Sequence, residues 1–197
     1  MSDADLADLP LFALQTVLFP GGRLPLRVFE QRYMDMAKAC LRDDSPFGVC
    51  LIREGGEVGA PAVPEEVGCL ARIVAWDMPQ LGVLQVQARG EQRFRIRKRR
   101  VQADGLLRAS IALLAAEADA QLEPDTDLCA RVLRKAVESG GEALVEPPLR
   151  YASADWVSAR LAELLPLSLD AKQRLLEMND ARDRLEILRR LISSAGQ

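Results

Sequence analysis

The sequence contains no histidine. That absence removes the commonest general base, the Ser-His and Cys-His nucleophile pairs, and most zinc sites. No G-x-x-x-x-G-K-[ST] run occurs, so no loop of that kind cradles the phosphates of ATP. Aromatic residues make up only 5% of the chain, which leaves few platforms for stacking nucleic-acid bases. Cysteines are few and scattered, at Cys40, Cys50, Cys69 and Cys129, with no C-x-x-C pair. They lie in apolar runs, and a chain of 197 residues needs no disulfides to hold its core. They are expected to be buried free thiols, with no metal and no cofactor. No apolar run reaches the length of about eighteen residues that a spanning helix requires, so no membrane association is expected. Met1 to Asp8 is acidic and polar and lacks the basic start of a secretory signal, so the cytoplasm is the expected location.

What is present describes an ordinary globular chain. Apolar residues account for 49% and charged residues for 28%, enough to bury a sizeable core in one or two domains. The net charge of −3 gives no overall pull toward nucleic acid.

The densest stretch is Leu18 to Tyr33, L-F-P-G-G-R-L-P-L-R-V-F-E-Q-R-Y. Leu9 to Phe19 is a short apolar strand candidate, and Pro10 restricts it to an edge or a strand start. Pro20, Gly21 and Gly22 reverse the chain. Leu24 to Phe29 resumes extended, with Pro25 again favouring an edge. From Glu30 to Asp43 the period changes, and Tyr33, Met36, Ala37, Cys40 and Leu41 mark one helix face. Phe47 to Arg53 reads as a buried strand. A loop with Pro61 and Pro64 follows, then a long strand from Val67 to Met78. Pro79 to Gly82 turns the chain into Val83 to Ala88, Gly90 turns it again into Gln92 to Arg99, and Leu106 to Leu114 is the last strand. Strands at this spacing predict an antiparallel barrel or a strongly coiled sheet.

After Ala115 the pattern is helical. The predicted helices are Asp125 to Ser139, capped by Asp125 or Thr126 and stopped by Gly140 and Gly141; a second from Ser153 or Ala154 to Pro166; Leu169 to Met178, capped by Ser168; and Ala181 to Ser194, capped by Asn179 or Asp180. The expected class is α+β, with a β-rich domain over residues 1–117 and a helical bundle over 118–197.

The motifs L-P-L-F-A-L (Leu9 to Leu14), V-L-F-P-G (Val17 to Gly21), L-P-L-R-V-F-E-Q-R-Y (Leu24 to Tyr33) and F-G-V-C-L-I (Phe47 to Ile52) occur in this order. V-G-C-L-A-R-I (Val67 to Ile73), G-E-Q-R-F-R-I (Gly90 to Ile96), L-P-L-S-L-D-A-K-Q-R-L-L-E (Leu165 to Glu177) and R-L-E-I-L (Arg184 to Leu188) follow. Together they resemble the Lon N-terminal domain family, the substrate-binding domain that precedes the motor of the ATP-dependent Lon protease. The resemblance implies a PUA-like β pseudo-barrel with one or two helices, followed by a C-terminal helical bundle. The family's peptidase uses a Ser-Lys dyad in another domain, and none of Lys38, Lys98, Lys135 and Lys172 lies in such a motif. The resemblance therefore implies a free-standing, non-enzymatic recognition module.

Two surfaces are candidates for binding. Phe19, Pro20, Leu24, Leu26 and Tyr33 form an apolar edge that an extended polypeptide could pair with. The competing reading is a core hairpin whose prolines protect the edge, with Tyr33 in the core and Glu30 serving as a helix cap or ion-pair partner. Arg93, Arg95 and Arg97 alternate with Phe94 and Ile96, which places all three arginines on the outer face of a strand. That face, Arg93 to Arg100, is most simply solvated; its partners otherwise would be an acidic protein or, as an RNA-associated module, phosphate. The carboxylate pairs Asp43/Asp44 and Glu65/Glu66 sit in loops with nothing to hold them across a cleft. The expected partner is a polypeptide substrate or partner protein, bound through unfolded or exposed apolar segments.

Overall fold

Residues 5–115, 120–140 and 145–195 are described by a computed structural model of the chain. The chain divides into two compact units, Met1–Ala115 and Ala116–Gln197. The first holds β1 (Asp5–Leu14), β2 (Arg23–Val28), α1 (Gln31–Asp43), β3 (Phe47–Glu54), β4 (Val63–Pro64), β5 (Val67–Gln80), β6 (Val83–Val101) and β7 (Leu107–Leu113). The second holds α2 (Leu128–Gly140), α3 (Ala154–Leu164), α4 (Leu169–Glu177) and α5 (Ala181–Ala195).

The β unit closes on itself. Antiparallel pairing runs β1–β7–β6–β5–β3, and β1 then pairs parallel with β3, Leu11 opposite Gly48 and Leu14 opposite Leu51. Pro10 sits one residue before that parallel ladder starts, where its missing N–H costs nothing on the β3 side. β2 stands off the ring and pairs with β6 alone among the described residues. Two apolar clusters fill the unit. One joins Phe12, Tyr33, Met36, Cys40, Phe47, Leu84 and Val86 under α1, and the other joins Leu11, Phe94, Leu107 and Ile111. The helix period read from Tyr33, Met36, Ala37 and Cys40 is the buried face of α1.

Several local expectations are corrected. The first strand begins and ends earlier than Leu9 to Phe19, and Phe19 lies beyond it. Val63–Pro64, expected in a loop, makes a short pairing with β3. Gly90 does not turn the chain; β6 runs unbroken through it. What its missing side chain permits is the docking of the Pro-Gly-Gly turn. The Gly21 N–H donates to the Gly90 carbonyl and the Gly90 N–H to the Gly22 carbonyl, each at 2.8 Å. A Cβ on Gly90 would collide with the Phe19 carbonyl. In that turn the Gly22 N–H returns to the Phe19 carbonyl at 2.9 Å, and Gly21 has φ 75°, so Pro20 and Gly21 occupy the central positions of a type II turn.

In the helical unit the caps refine the expected starts. Asp127, rather than Asp125 or Thr126, caps α2 by accepting from the Ala130 N–H at 3.0 Å. Ser153 and Ser168 cap α3 and α4, each accepting at 3.2 Å, and Asp180 accepts from the Arg182 N–H at the start of α5. Gly141 lies outside the described residues. Arg184 of α5 is buried and donates to Ser158 Oγ and Asp155 Oδ1 of α3, both at 2.8 Å. No described helix is long and apolar enough to cross a membrane.

Candidate functional site

β2, β6 and β5 lie side by side, and their register aligns apolar residues in rows across the three strands. Leu24 is opposite Ala88, which is opposite Ile73; Leu26 is opposite Val86, which is opposite Trp76. Directly opposed residues share a face of a sheet, so each row stands on one side. That side is continuous with the Phe12–Tyr33 cluster: Val86 and Ala88 belong to it, and Leu26 and Ile73 pack against it half-buried. Cover ends at the strand tips. Trp76 is 58% exposed and Leu81, in the β5–β6 turn, 93%.

Two cavities open on this face. The larger, about 530 Å³, is lined by Phe12, Leu14, Leu24, Leu26, Val28, Phe29, Tyr33 and Val58, with Arg23, Arg27, Glu30 and Glu57 also lining it. The smaller, about 350 Å³, lies between Leu26, Val86 and Trp76. Pro25, Leu26 and Arg27 line both, so the middle of β2 divides one cavity from the other.

Tyr33 is the polar residue set deepest in the larger cavity. It is buried, stacks on Phe12, and carries the Arg32 guanidinium 4.7 Å from its ring centroid. Burial pushes its hydroxyl above the ordinary tyrosine value, Arg32 pulls it back, and Glu30 and Glu57 push it up again. The hydroxyl makes no hydrogen bond among the described residues and, although the ring is buried, its oxygen is not sealed from solvent. Glu30 stands at the N-cap of α1, where its carbonyl accepts from the Tyr33 and Met34 N–H groups at 3.1 and 2.9 Å, but its carboxylate makes no cap bond and instead pairs with Arg32 at 2.9 Å. Glu57 accepts from the Gln15 N–H at 2.6 Å.

Leu24, Leu26 and Tyr33 thus meet at one cavity. Phe19 does not join them. It is 1% exposed and packed in the interior, so it presents no surface. Pro20 is half-buried in the turn and lines neither cavity. Phe12, Phe29, Val58 and Trp76 were not singled out from the sequence. Trp76 stood in a predicted strand, but alternation alone does not say where a sheet outruns its cover.

The basic face is corrected at Arg93. Arg93 is 5% exposed, whereas Arg95 and Arg97 are exposed. Arg93 is opposite Cys69, which is fully buried, while the neighbouring Phe94 is buried in the other apolar cluster. The sheet is therefore covered on both faces at this point, and strict alternation carries Arg93 inward instead of out. Arg95 lies 4.0 Å from Glu66, and Arg100 and Arg108 both bind Asp8, at 2.6 and 3.0 Å. Arg97, Lys98 and Arg99 stay exposed without an ion-pair partner among the described residues, so the basic face shrinks to these three between a buried arginine and ion pairs, and an RNA-associated role finds no support.

The four cysteines are free and buried. Burial raises the Cys50 thiol to about 12 and the Cys129 thiol to about 11, so neither is a nucleophile near neutrality. No group of three or more cysteine, aspartate or glutamate side chains suited to a metal occurs among the described residues.

Among solved structures, a Lon N-terminal domain protein from Xanthomonas campestris superposes with a TM-score of 0.77 at 39% identity, covering 93% of this chain and 97% of its own. The N-terminal domain of a Mycobacterium avium complex Lon protease shares the fold, with a TM-score of 0.65 at 18% identity and 92% and 95% coverage. The Lon protease of Cytophaga hutchinsonii is 25% identical over 93% of this chain, and cereblon of Danio rerio is 31% identical over 56%. The chain spans 24% and 25% of the length of those two relatives. Residues 8–194, nearly the whole chain and every strand and helix of the site, match the substrate-binding domain of the ATP-dependent protease La (LON), and to that family this chain belongs.

Proposed function

We propose that this chain is a non-enzymatic recognition module that captures unfolded or exposed apolar polypeptide segments in the groove beside β2. The observation that carries the reading is the apolar face shared by Leu24, Leu26, Val86 and Trp76, which is buried at Leu24 and Val86, reaches solvent at Leu26 and Trp76 beside an edge strand, and is backed by Tyr33. An extended segment laid against β2 would place alternate side chains in the two cavities and pair part of its backbone with the free edge. Pro25 interrupts that ladder at its centre, because it has no N–H to offer. Side-chain burial therefore provides most of the attraction. Two buried side chains contribute about 3 to 6 kcal/mol, from which the ordering of the segment is subtracted, so affinity in the micromolar range or weaker is expected.

The supporting context is a family of substrate-binding domains and a sequence without histidine or a nucleotide-binding loop. The test is a titration of the chain against a fluorescein-labelled, permanently unfolded polypeptide, monitored by anisotropy. Saturable binding, weakened about tenfold by Leu26→Asn, is the expected result, because that change places a polar amide between the two cavities. Absence of binding up to several hundred micromolar would overturn the reading.

A further inference from the structure

The charges around the groove are not balanced. Its two acids are engaged, Glu30 by Arg32 and Glu57 by the backbone of Gln15. Its two exposed arginines, Arg23 and Arg27, have no ion-pair or hydrogen-bond partner among the described residues. Six other arginines of the β unit, Arg42, Arg53, Arg72, Arg95, Arg100 and Arg108, each have a carboxylate within reach, whereas Arg23 and Arg27 share their lack of a partner with Arg97, Lys98 and Arg99, none of which lines the groove.

Their position in the strand gives this imbalance a geometry. Arg23, Pro25 and Arg27 alternate with Leu24, Leu26 and Val28, so the arginines and the apolar residues point to opposite faces of the same edge strand. Arg23 and Arg27 are four residues apart, a separation of about 13 Å in an extended chain. A polypeptide lying along β2 has the same alternation. Its side chains turned toward Leu24 and Leu26 meet the apolar cavities, and the intervening ones come out beside Arg23 and Arg27. The position between them falls opposite Pro25.

Resting on the peptide-capture reading, we infer that the preferred ligand is an amphipathic extended segment of the pattern acidic, apolar, any residue, apolar, acidic. The two apolar side chains enter the groove and the two carboxylates pair with Arg23 and Arg27. Basic residues at those outer positions are rejected, because each would stand against an unpaired guanidinium. Selection of this kind would separate acidic exposed strands from the basic ones common in nucleic-acid-binding chains.

The experiment uses the full chain and three labelled peptides that differ only at the two outer positions, carrying glutamate, glutamine or lysine. Each exposed pair contributes a factor of about two to three, so the acidic peptide should bind about fivefold tighter than the neutral one at low salt, and the basic peptide weakest. The gap should close at about 0.5 M salt, where exposed charges are screened within a few ångströms. The double variant Arg23→Glu, Arg27→Glu should reverse the order and make the lysine peptide the tightest. Both positions are exposed and unpaired, so the variant retains its fold, checked by an unchanged melting temperature. Measurable binding of all three peptides with equal affinity, or an order unchanged by the double variant, overturns this inference while leaving peptide capture standing. Failure of all three peptides to bind overturns peptide capture itself, and this inference with it.

Discussion

Phe12 and Tyr33 stack with ring centroids 4.0 Å apart and planes 20° from parallel. The pair joins β1 to α1 and forms the back of the larger cavity. Because burial raises the Tyr33 hydroxyl above its ordinary value of 10.0, the unfolded chain loses this proton first as pH rises. The folded state then holds more protons than the unfolded one, and stability falls with pH from about 10 up to the raised folded value. Replacing Tyr33 with Phe removes that contribution. Melting temperatures measured from pH 9 to 11 should drop more steeply for the wild-type chain than for Tyr33→Phe. Parallel slopes would show that the hydroxyl titrates alike in both states.

Gly90→Ala should be among the costliest single-methyl changes in the β unit. The added Cβ meets the Phe19 carbonyl and also approaches Leu18, and the backbone bonds between Gly90 and the Gly21–Gly22 turn leave little room to shift. A loss of about 2 to 3 kcal/mol is expected from overpacking against backbone, measured by urea unfolding. A loss below about 0.5 kcal/mol would mean that the turn moves aside freely.

Gly90 also shows what the residues alone can and cannot convey. Locally, a glycine between two alternating runs reads as a turn, and nothing nearby records that a carbonyl from seventy residues upstream occupies the space. Arg93 was misplaced for a related reason: alternation assigns sides, but only the register opposite Cys69 reveals that both sides are covered. The parallel pairing of β1 with β3, which closes the ring, leaves no periodic signature either. By contrast, α1 and the serine caps of α3 and α4 depend on spacings within a few residues, and those were legible. Of the groove, the β2 residues and Tyr33 could be named because they share one motif. Trp76 and the free charges of Arg23 and Arg27 needed the neighbouring strands in place.

In the helical unit, Asp155→Ala should destabilise more than Arg184→Met. The first change takes the Asp155 carboxylate away from the Arg184 guanidinium, which is 2% exposed, at a cost of about 2 kcal/mol, moderated because Asp155 is itself 40% exposed. The second removes charge and desolvation together and keeps most of the volume, so it should cost about half as much. Urea unfolding followed by helical circular dichroism ranks the two. The reverse order would show that Arg184 stabilises through its packing more than through its pairing.

Thiol labelling should be silent in the folded chain. All four cysteines are buried, and the thiols of Cys50 and Cys129 are raised to about 12 and about 11. At pH 8 a disulfide reagent such as DTNB should therefore react with none of them on a timescale of minutes, and with all of them after denaturation. Rapid reaction of one thiol in the native state would reveal local opening of its surroundings; Cys40, beside the C-terminal end of α1, is the first to test by Cys40→Ser.

Trp76 offers a direct readout of the groove. It is 58% exposed at the mouth of the smaller cavity, opposite Val86 and in one row with Leu26. A segment seated there removes the indole from water, so its emission should shift to shorter wavelength as a non-fluorescent peptide is added. The chain's second tryptophan, Trp156, lies in the helical unit, and a Trp156→Phe background isolates the signal. The shift should saturate at the same peptide concentration as the anisotropy change. Trp76→Ala should weaken binding by about tenfold, the order expected when a large aromatic contact is lost, while costing little stability because the residue is exposed. Binding that leaves Trp76 emission unchanged would place the captured segment in the larger cavity alone, between Leu26 and Tyr33, and the Leu26→Asn variant would then carry the whole loss.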